Sequence, residues 1–257
     1  MQLIYRLTLI ILLFVAGLII ALGVFPAINA VFPVNKARFH RDLIKKHWLK
    51  CFSLIVNLKI EKTGEESAES TLVVCNHISW LDIIVVGQFL PAYFVAKSDI
   101  LGWPVIGYLA RQAGTIFIRR GEKKHILATA ERMVWLLKQN SNIIAFPEGT
   151  TTIGNQVLNF HASLFQPALL TKSSIQPVAI QYTGQSKDFA PFIGDDAFVP
   201  HLIRMLGFEK IEVKIQFLPT INVSGKTRNA ICDEARLAII AAMKGELTEP
   251  EWLENRA

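Results

Sequence analysis

Thr71-Leu72-Val73-Val74-Cys75-Asn76-His77-Ile78-Ser79-Trp80-Leu81-Asp82 runs from an apolar segment into polar residues and back. Thr71–Cys75 is short, β-branched and uncharged, the composition of a buried strand. The residues after it can start a helix, with Ser79 as the N-cap and Asp82 at the capping-box offset. A strand that turns directly into a helix is the repeating unit of an α/β layer fold. In such folds, sites gather where strands end and loops begin.

The rest of the chain continues the alternation. Strand-type runs fall at Tyr93–Ala96, Thr115–Arg119, Ile143–Phe146, Ile175–Tyr182 and Ile211–Leu218. Between them Ile126, Leu127, Ala130, Met133, Val134 and Leu137 repeat at a helical period, and near the end Ile231, Ala235, Ala238, Ile239, Ala242 and Met243 do so again. The predicted architecture is a mixed, largely parallel sheet flanked by helices. Gln185–Pro200 reads as an excursion loop, Thr63–Ser70 as a polar connection, and the acidic tail after Leu247 as surface or a frayed helix.

Upstream the composition changes. No charge lies between Arg6 and Lys36, and Leu7–Phe25 is almost wholly Leu, Ile, Val, Phe, Ala and Gly. About 20 such residues cross a hydrocarbon core. A cleaved signal peptide is the competing reading, but its apolar core is shorter and Ala27-Ile28-Asn29-Ala30 is a poor cleavage site. Pro26, Asn29 and Pro33 disfavour one straight helix as far as Lys36. Next come Lys36, Arg38, Arg41, Lys45, Lys46 and Lys50, with Phe39, Leu43, Trp48, Phe52 and Ile55 at roughly helical spacing. This predicts an amphipathic helix on the headgroups, apolar face down, and a body on the cytoplasmic side of the membrane. The expected division is residues 1–62 as anchor and basic helix, and 63–257 as the α/β domain.

The bulk numbers agree. Of the 257 residues, 51% are hydrophobic and the formal charge is +6; mean hydropathy is +0.35. A basic chain suits an anionic membrane surface or substrate. Neither zinc-finger spacing nor an RNA-binding aromatic strand occurs, which argues against nucleic acid as a partner. Cys51, Cys75 and Cys232 include no CxxC, so neither a metal site nor a disulfide framework is indicated.

The chemistry-bearing residues fall in three blocks. His77 and Asp82, five apart, can meet only if a helix begins between them. They would then form a base with an orienting carboxylate, able to take a proton from a hydroxyl near neutral pH. By itself the same spacing also describes a helix cap and a turn residue. Phe146-Pro147-Glu148-Gly149-Thr150 ends a second strand, and Gly114-Thr115-Ile116-Phe117-Ile118-Arg119-Arg120 a third, with arginines suited to an anion. There is no G-x-S-x-G elbow. A histidine base without a protein nucleophile points to direct attack by a substrate hydroxyl.

In order and spacing these blocks, with Gln176-Pro177-Val178, resemble the glycerolipid acyltransferase family that includes 1-acylglycerol-3-phosphate acyltransferase. The resemblance covers roughly Thr71–Leu218. It implies His77 as general base, Asp82 as its partner, and Asn76, Arg120, Glu148, Gly149 and Thr150 as substrate-binding residues, with Arg120 the phosphate contact. The implied donor is an acyl-CoA or acyl carrier protein thioester and the implied acceptor 1-acyl-sn-glycerol 3-phosphate, giving phosphatidic acid, with lyso-ornithine lipid or another lysolipid as the alternative; no cofactor or metal is needed. Two departures bear on the acceptor. Thr151 stands where phosphate-type members usually carry Arg, and Phe160-His161-Ala162-Ser163 replaces a frequent Phe-Lys-x-Gly. Gly154–Phe160 is similar to relatives that acylate lyso-ornithine lipid. A thioester or lipid hydrolase and a non-catalytic lipid-binding protein are the readings from other classes.

Overall fold

The computed structural model describes residues 1–119 and 123–245. In chain order the elements are α1 (Gln2–Ile19), a π-helical turn (Ile20–Val24), α2 (Phe25–Val31), α3 (Val34–Ile55), β1 (Leu58–Thr63), β2 (Leu72–Cys75), α4 (Leu81–Gly87), β3 (Ala92–Lys97), α5 (Ile106–Gln112), β4 (Ile116–Ile118), α6 (Lys123–Lys138), β5 (Asn142–Ala145), α7 (Gln166–Thr171), β6 (Ile175–Tyr182), α8 (Ser186–Phe189), α9 (Phe198–Gly207), β7 (Ile211–Phe217) and α10 (Arg228–Lys244). The tail after Leu247, and Arg120, lie outside the described residues.

The strands form one seven-stranded sheet in the order β1-β7-β6-β2-β5-β3-β4. Every pairing is parallel except β6 with β7. This is the predicted mixed, largely parallel sheet, and all six predicted strands are present. Strand β2 is buried throughout because both its faces are covered. The two-residue period of a strand divides its side chains between two cores. Val73 and Cys75 pack with α4, α9 and the N-terminal helices, whereas Leu72 and Val74 pack with α6, α7 and α10.

The sequence reading misses β1. Leu58 and Ile60 alternate with Lys59 and Glu61, but the segment follows directly on a basic helical pattern and falls within the division assigned to the anchor and basic helix. It pairs with β7 from Leu58↔Ile211 to Thr63↔Gln216, so the sheet begins before the expected boundary at residue 62. The excursion loop is also shorter than expected, since α8 lies within it and α9 starts at Phe198.

At the N-terminus one apolar helix runs from Gln2 to Val31. As Pro26, Asn29 and Pro33 imply, it does not run straight through to Lys36, but Pro26 itself does not end it. The chain instead widens to a π turn just upstream, with the Phe25 amide bonded to the Ile20 carbonyl, and the helix continues to an extended Phe32 before Pro33. Ile4, Ile11, Leu12, Val15, Ile19 and Leu22 are exposed along one stripe. The opposite face is held to the body. Arg6 is buried and donates to the carbonyls of Leu206 (3.2 Å), Phe208 and Glu209 (2.9 Å), capping α9. Trp48 Nε1–H donates to Leu13 O at 3.1 Å.

Helix α3 is not oriented as the simple amphipathic reading requires. Phe39, Leu43 and Leu54 face outward, but Phe52 is buried in the core and Trp48 packs against it. Two of the expected headgroup cations also turn inward. Arg41 donates to Gln112 O (2.7 Å) and Lys45 to Ala113 O (3.0 Å). These carbonyls end α5 and have no helical partner, so a cation satisfies them and meets the negative end of the helix dipole.

Candidate active site

Because β2 lies mid-sheet between β5 and β6, its C-terminal end is the point where residues from three strands can converge. Asn76 leaves it first. Its Nδ2 donates to Ile180 O (2.9 Å) and its Oδ1 accepts from Ile180 N (2.8 Å). The amide therefore continues the β2–β6 ladder one step past the strand. Expected to contact substrate, Asn76 is instead buried with both polar ends occupied, and it fixes where the next residue emerges.

That residue is His77. Helix α4 begins at Leu81, so the chain turns between His77 and Asp82, and His77 Nδ1–H donates to Asp82 Oδ2 at 2.8 Å. The same oxygen accepts from the backbone amides of Ile78 (2.7 Å) and Ser79 (2.9 Å). Tyr182 Oη–H donates to Oδ1 at 2.9 Å. Four donors thus converge on a carboxylate with no solvent exposure. The Ser79 hydroxyl does not cap the helix as expected; Asp82 folds back and supplies the other half of a capping box. With Nδ1 committed, Nε2 of the neutral ring is the free lone pair. The imidazole stacks on Phe146 (ring centroids 4.1 Å, 20° between planes), and its side chain is 18% exposed while that of Asp82 is closed off.

Glu148 also has a different position from the one expected. It is buried, and its carboxylate accepts from His77 N (2.7 Å) and from Leu158 N (2.9 Å). It joins the His77 loop to the loop at Leu158. Burial raises its pKa, and the two backbone donors act against that rise. Gly149 adopts φ +70, so the chain turns there where most side chains would be strained. Thr150 and Gly149 border the cavity beside His77. The Thr151 hydroxyl donates to Phe192 O, and Thr152 N–H to His77 O (2.9 Å). Arg119 directly follows β4 and is exposed.

His77 opens onto a cavity of about 770 Å³. Trp80, Phe94 and Phe146 line it from the sheet side, and Phe14, Ala21 and Phe25 from the N-terminal helix. Its walls are predominantly apolar and suit a fatty chain. Among the described residues no cluster of His, Cys, Asp or Glu could hold a metal ion.

Three participants escaped the sequence reading. Tyr182 closes β6, and burial followed by the Asp82 charge raises its pKa well above the usual value, so it remains a donor. Phe192 N–H donates to Ile78 O at 3.0 Å, fastening the excursion loop to the catalytic loop. His201 accepts from Trp80 Nε1 at 3.0 Å. The one available signal was an aromatic ending a predicted strand, at Tyr182.

Comparison with known proteins puts this geometry in a family. Residues 59–181 match the family model described as Acyltransferase. A lyso-ornithine lipid O-acyltransferase of Pseudomonas aeruginosa is 37% identical over 207 residues, which are 80% of each chain. The chain belongs to this acyltransferase family. A 1-acyl-sn-glycerol-3-phosphate acyltransferase of Neisseria gonorrhoeae is 29% identical over 74% of this acyltransferase and 76% of its own length. The fold is shared with the crystal structure of the 1-acyl-sn-glycerophosphate acyltransferase PlsC of Thermotoga maritima, with TM-score 0.71 at 18% identity over 95% of this chain and 97% of that one. The acyltransferase thus has a long apolar N-terminal helix packed on an α/β body whose histidine–carboxylate pair faces an apolar cavity.

Proposed function

We propose that the enzyme O-acylates a lysolipid in the bilayer, and that lyso-ornithine lipid is its acceptor. The observation that carries the acceptor is Thr151. Its hydroxyl is spent on Phe192 O, where phosphate-type members place an arginine. A guanidinium there would make a strong charge-assisted pair with a phosphate; an ornithine headgroup has no phosphate. The relatives from Pseudomonas aeruginosa and Rhodobacter capsulatus, 37% and 33% identical, are both named lyso-ornithine lipid O-acyltransferase.

In this mechanism the acyl chain lies in the cavity with its thioester carbonyl beside His77. His77 Nε2 takes the proton of the acceptor hydroxyl as its oxygen attacks that carbonyl. Asp82 holds the ring and stabilises the imidazolium as it forms. The tetrahedral intermediate collapses, the carbon–sulfur bond breaks, and His77 returns the proton to the departing thiolate. The exposed stripe on the N-terminal helix beds in the bilayer, with the body on the cytoplasmic face, where acyl-CoA or acyl carrier protein delivers the chain.

Lysophosphatidate is the second reading, supported by the Neisseria relative and by Arg119 directly after β4. Purified enzyme given a labelled acyl thioester and a panel of lyso-ornithine lipid, lysophosphatidate and other lysophospholipids is expected to label ornithine lipid most. Preferential labelling of phosphatidic acid would overturn the assignment. Free fatty acid without acylated lipid would instead indicate a hydrolase. His77→Ala should abolish transfer and leave the fold intact.

A further inference from the structure

His201 lies on α9, outside the sequence blocks that carry the chemistry, yet it touches the catalytic loop. It is 1% exposed. Its Nδ1 accepts the indole N–H of Trp80 at 3.0 Å, and its Nε2–H donates to Pro191 O at 3.2 Å. Both ring nitrogens are therefore used, which defines a neutral imidazole with its proton on Nε2. The two partners belong to two segments that border the cavity. Trp80 lies between His77 and Asp82 and lines the cavity. Pro191 precedes Phe192, whose amide holds Ile78 O and whose carbonyl takes the Thr151 hydroxyl.

We propose that His201 is a positioning residue, clamping the catalytic loop to the 185–197 loop through its two ring nitrogens. Its mount is rigid. Arg6 caps α9 beyond Leu206, and Phe198 on the same helix packs edge-on against Trp80, ring centroids 5.0 Å apart. Trp80 also meets Phe52 of α3 edge-on at 5.8 Å. The indole is packed against Phe52 and Phe198 where it does not face the cavity, and His201 accepts its N–H. Burial lowers the pKa of His201; the charges acting on it are Arg204 on its own helix and Asp196 in the loop, which bind each other at 3.3 Å. Burial thus favours the same neutral ring that the two hydrogen bonds require, with Nδ1 as the acceptor. The inference rests on the acyltransferase activity and not on which lysolipid is the acceptor.

The test uses the full chain in lipid–detergent micelles, with palmitoyl-CoA and whichever acceptor the wild type labels best. Each variant is first checked for cooperative thermal unfolding. His201→Phe removes the acceptor of the half-buried indole N–H and strands the buried Pro191 carbonyl, and kcat should fall roughly tenfold or more, with KM for palmitoyl-CoA within about twofold. His201→Asn, whose amide oxygen can replace Nδ1, should recover a good part of the loss. Trp80→Phe removes the donor and keeps a ring in place; combined with His201→Phe it should cost no more than the worse single change, because the two act as one unit. Wild-type kcat in folded His201→Phe would overturn the proposal. So would multiplicative losses in the double variant, or no recovery with Asn.

Discussion

The catalytic loop and the N-terminal helix are both fastened to the same sheet face, by different means. Between Asn76 and Asp82, the fixings are short polar bonds to backbone and carboxylate: Asn76 to Ile180, Glu148 to His77 N, and four donors on Asp82. From Gln2 to Val31 the fixing is apolar packing, with a few polar bonds such as those of Arg6 and Trp48. Hydrogen bonds have direction and define a position to tenths of an ångström, whereas packing tolerates sliding. A base must meet a proton within hydrogen-bond reach, but an apolar wall need only exclude water and follow a chain. The two modes of attachment match these two tasks.

Asp82→Asn attacks the precise region where the largest effect is expected. An amide oxygen in place of Oδ2 keeps the Ile78, Ser79 and His77 donors, and Tyr182 can turn to accept from the new NH₂. The fold should survive, with unfolding shifted by no more than about 1 kcal/mol. The imidazolium, however, loses its counter-charge, and kcat should fall about 10²–10⁴-fold. Steady-state rates beside a thermal melt check both halves. Large instability with modest rate loss would mean that Asp82 is chiefly a helix cap.

Glu148→Gln ranks next. Gln can accept only one of the two amides at His77 and Leu158, leaving its own NH₂ against the other. One stranded buried donor costs about 1–3 kcal/mol, and kcat should fall with the displaced loop. The pH dependence of stability has a defined sign. The folded pKa of Glu148 is raised by burial, so the folded state holds the proton more tightly than the unfolded chain. This contribution is fully present below the unfolded pKa, about 4.3, and is lost as pH rises through the folded value. Denaturant unfolding at stepped pH should show that decline in the wild type and not in Glu148→Gln.

The polar region was legible in the sequence only where its partners are near in the chain. His77 and Asp82 lie five apart after an apolar run, and the geometry that joins them follows from a helix start between them. Tyr182, Phe192 and His201 reach the same loop from 100 residues away or more, and no local pattern announces them. Asn76 and Glu148 stood out by residue type, but a side chain that binds backbone resembles one that binds substrate until the backbone is placed. Parallel strands buried on both faces were readable as apolar runs. The edge strand β1, half charged and joined to a helix, was not.

Arg6→Met probes the loosely held region, where the smallest catalytic effect is expected. Methionine keeps the apolar stem against α9 and removes the donors to the carbonyls at Leu206, Phe208 and Glu209. The Phe208 and Glu209 bonds are only part-buried, so water can replace part of what is lost there, while the Leu206 bond is buried; destabilisation of about 1–2 kcal/mol is expected. The remaining contacts of the N-terminal helix, from Ile10 in the core to the Trp48 bond, still hold it along the cavity. Activity at a temperature well below unfolding should therefore change by less than about threefold, a barrier difference under 1 kcal/mol. A loss as deep as that of Asp82→Asn would mean that α9 transmits the position of the membrane helix to His201 rigidly, and the two regions would then have to be regarded as one mechanical unit.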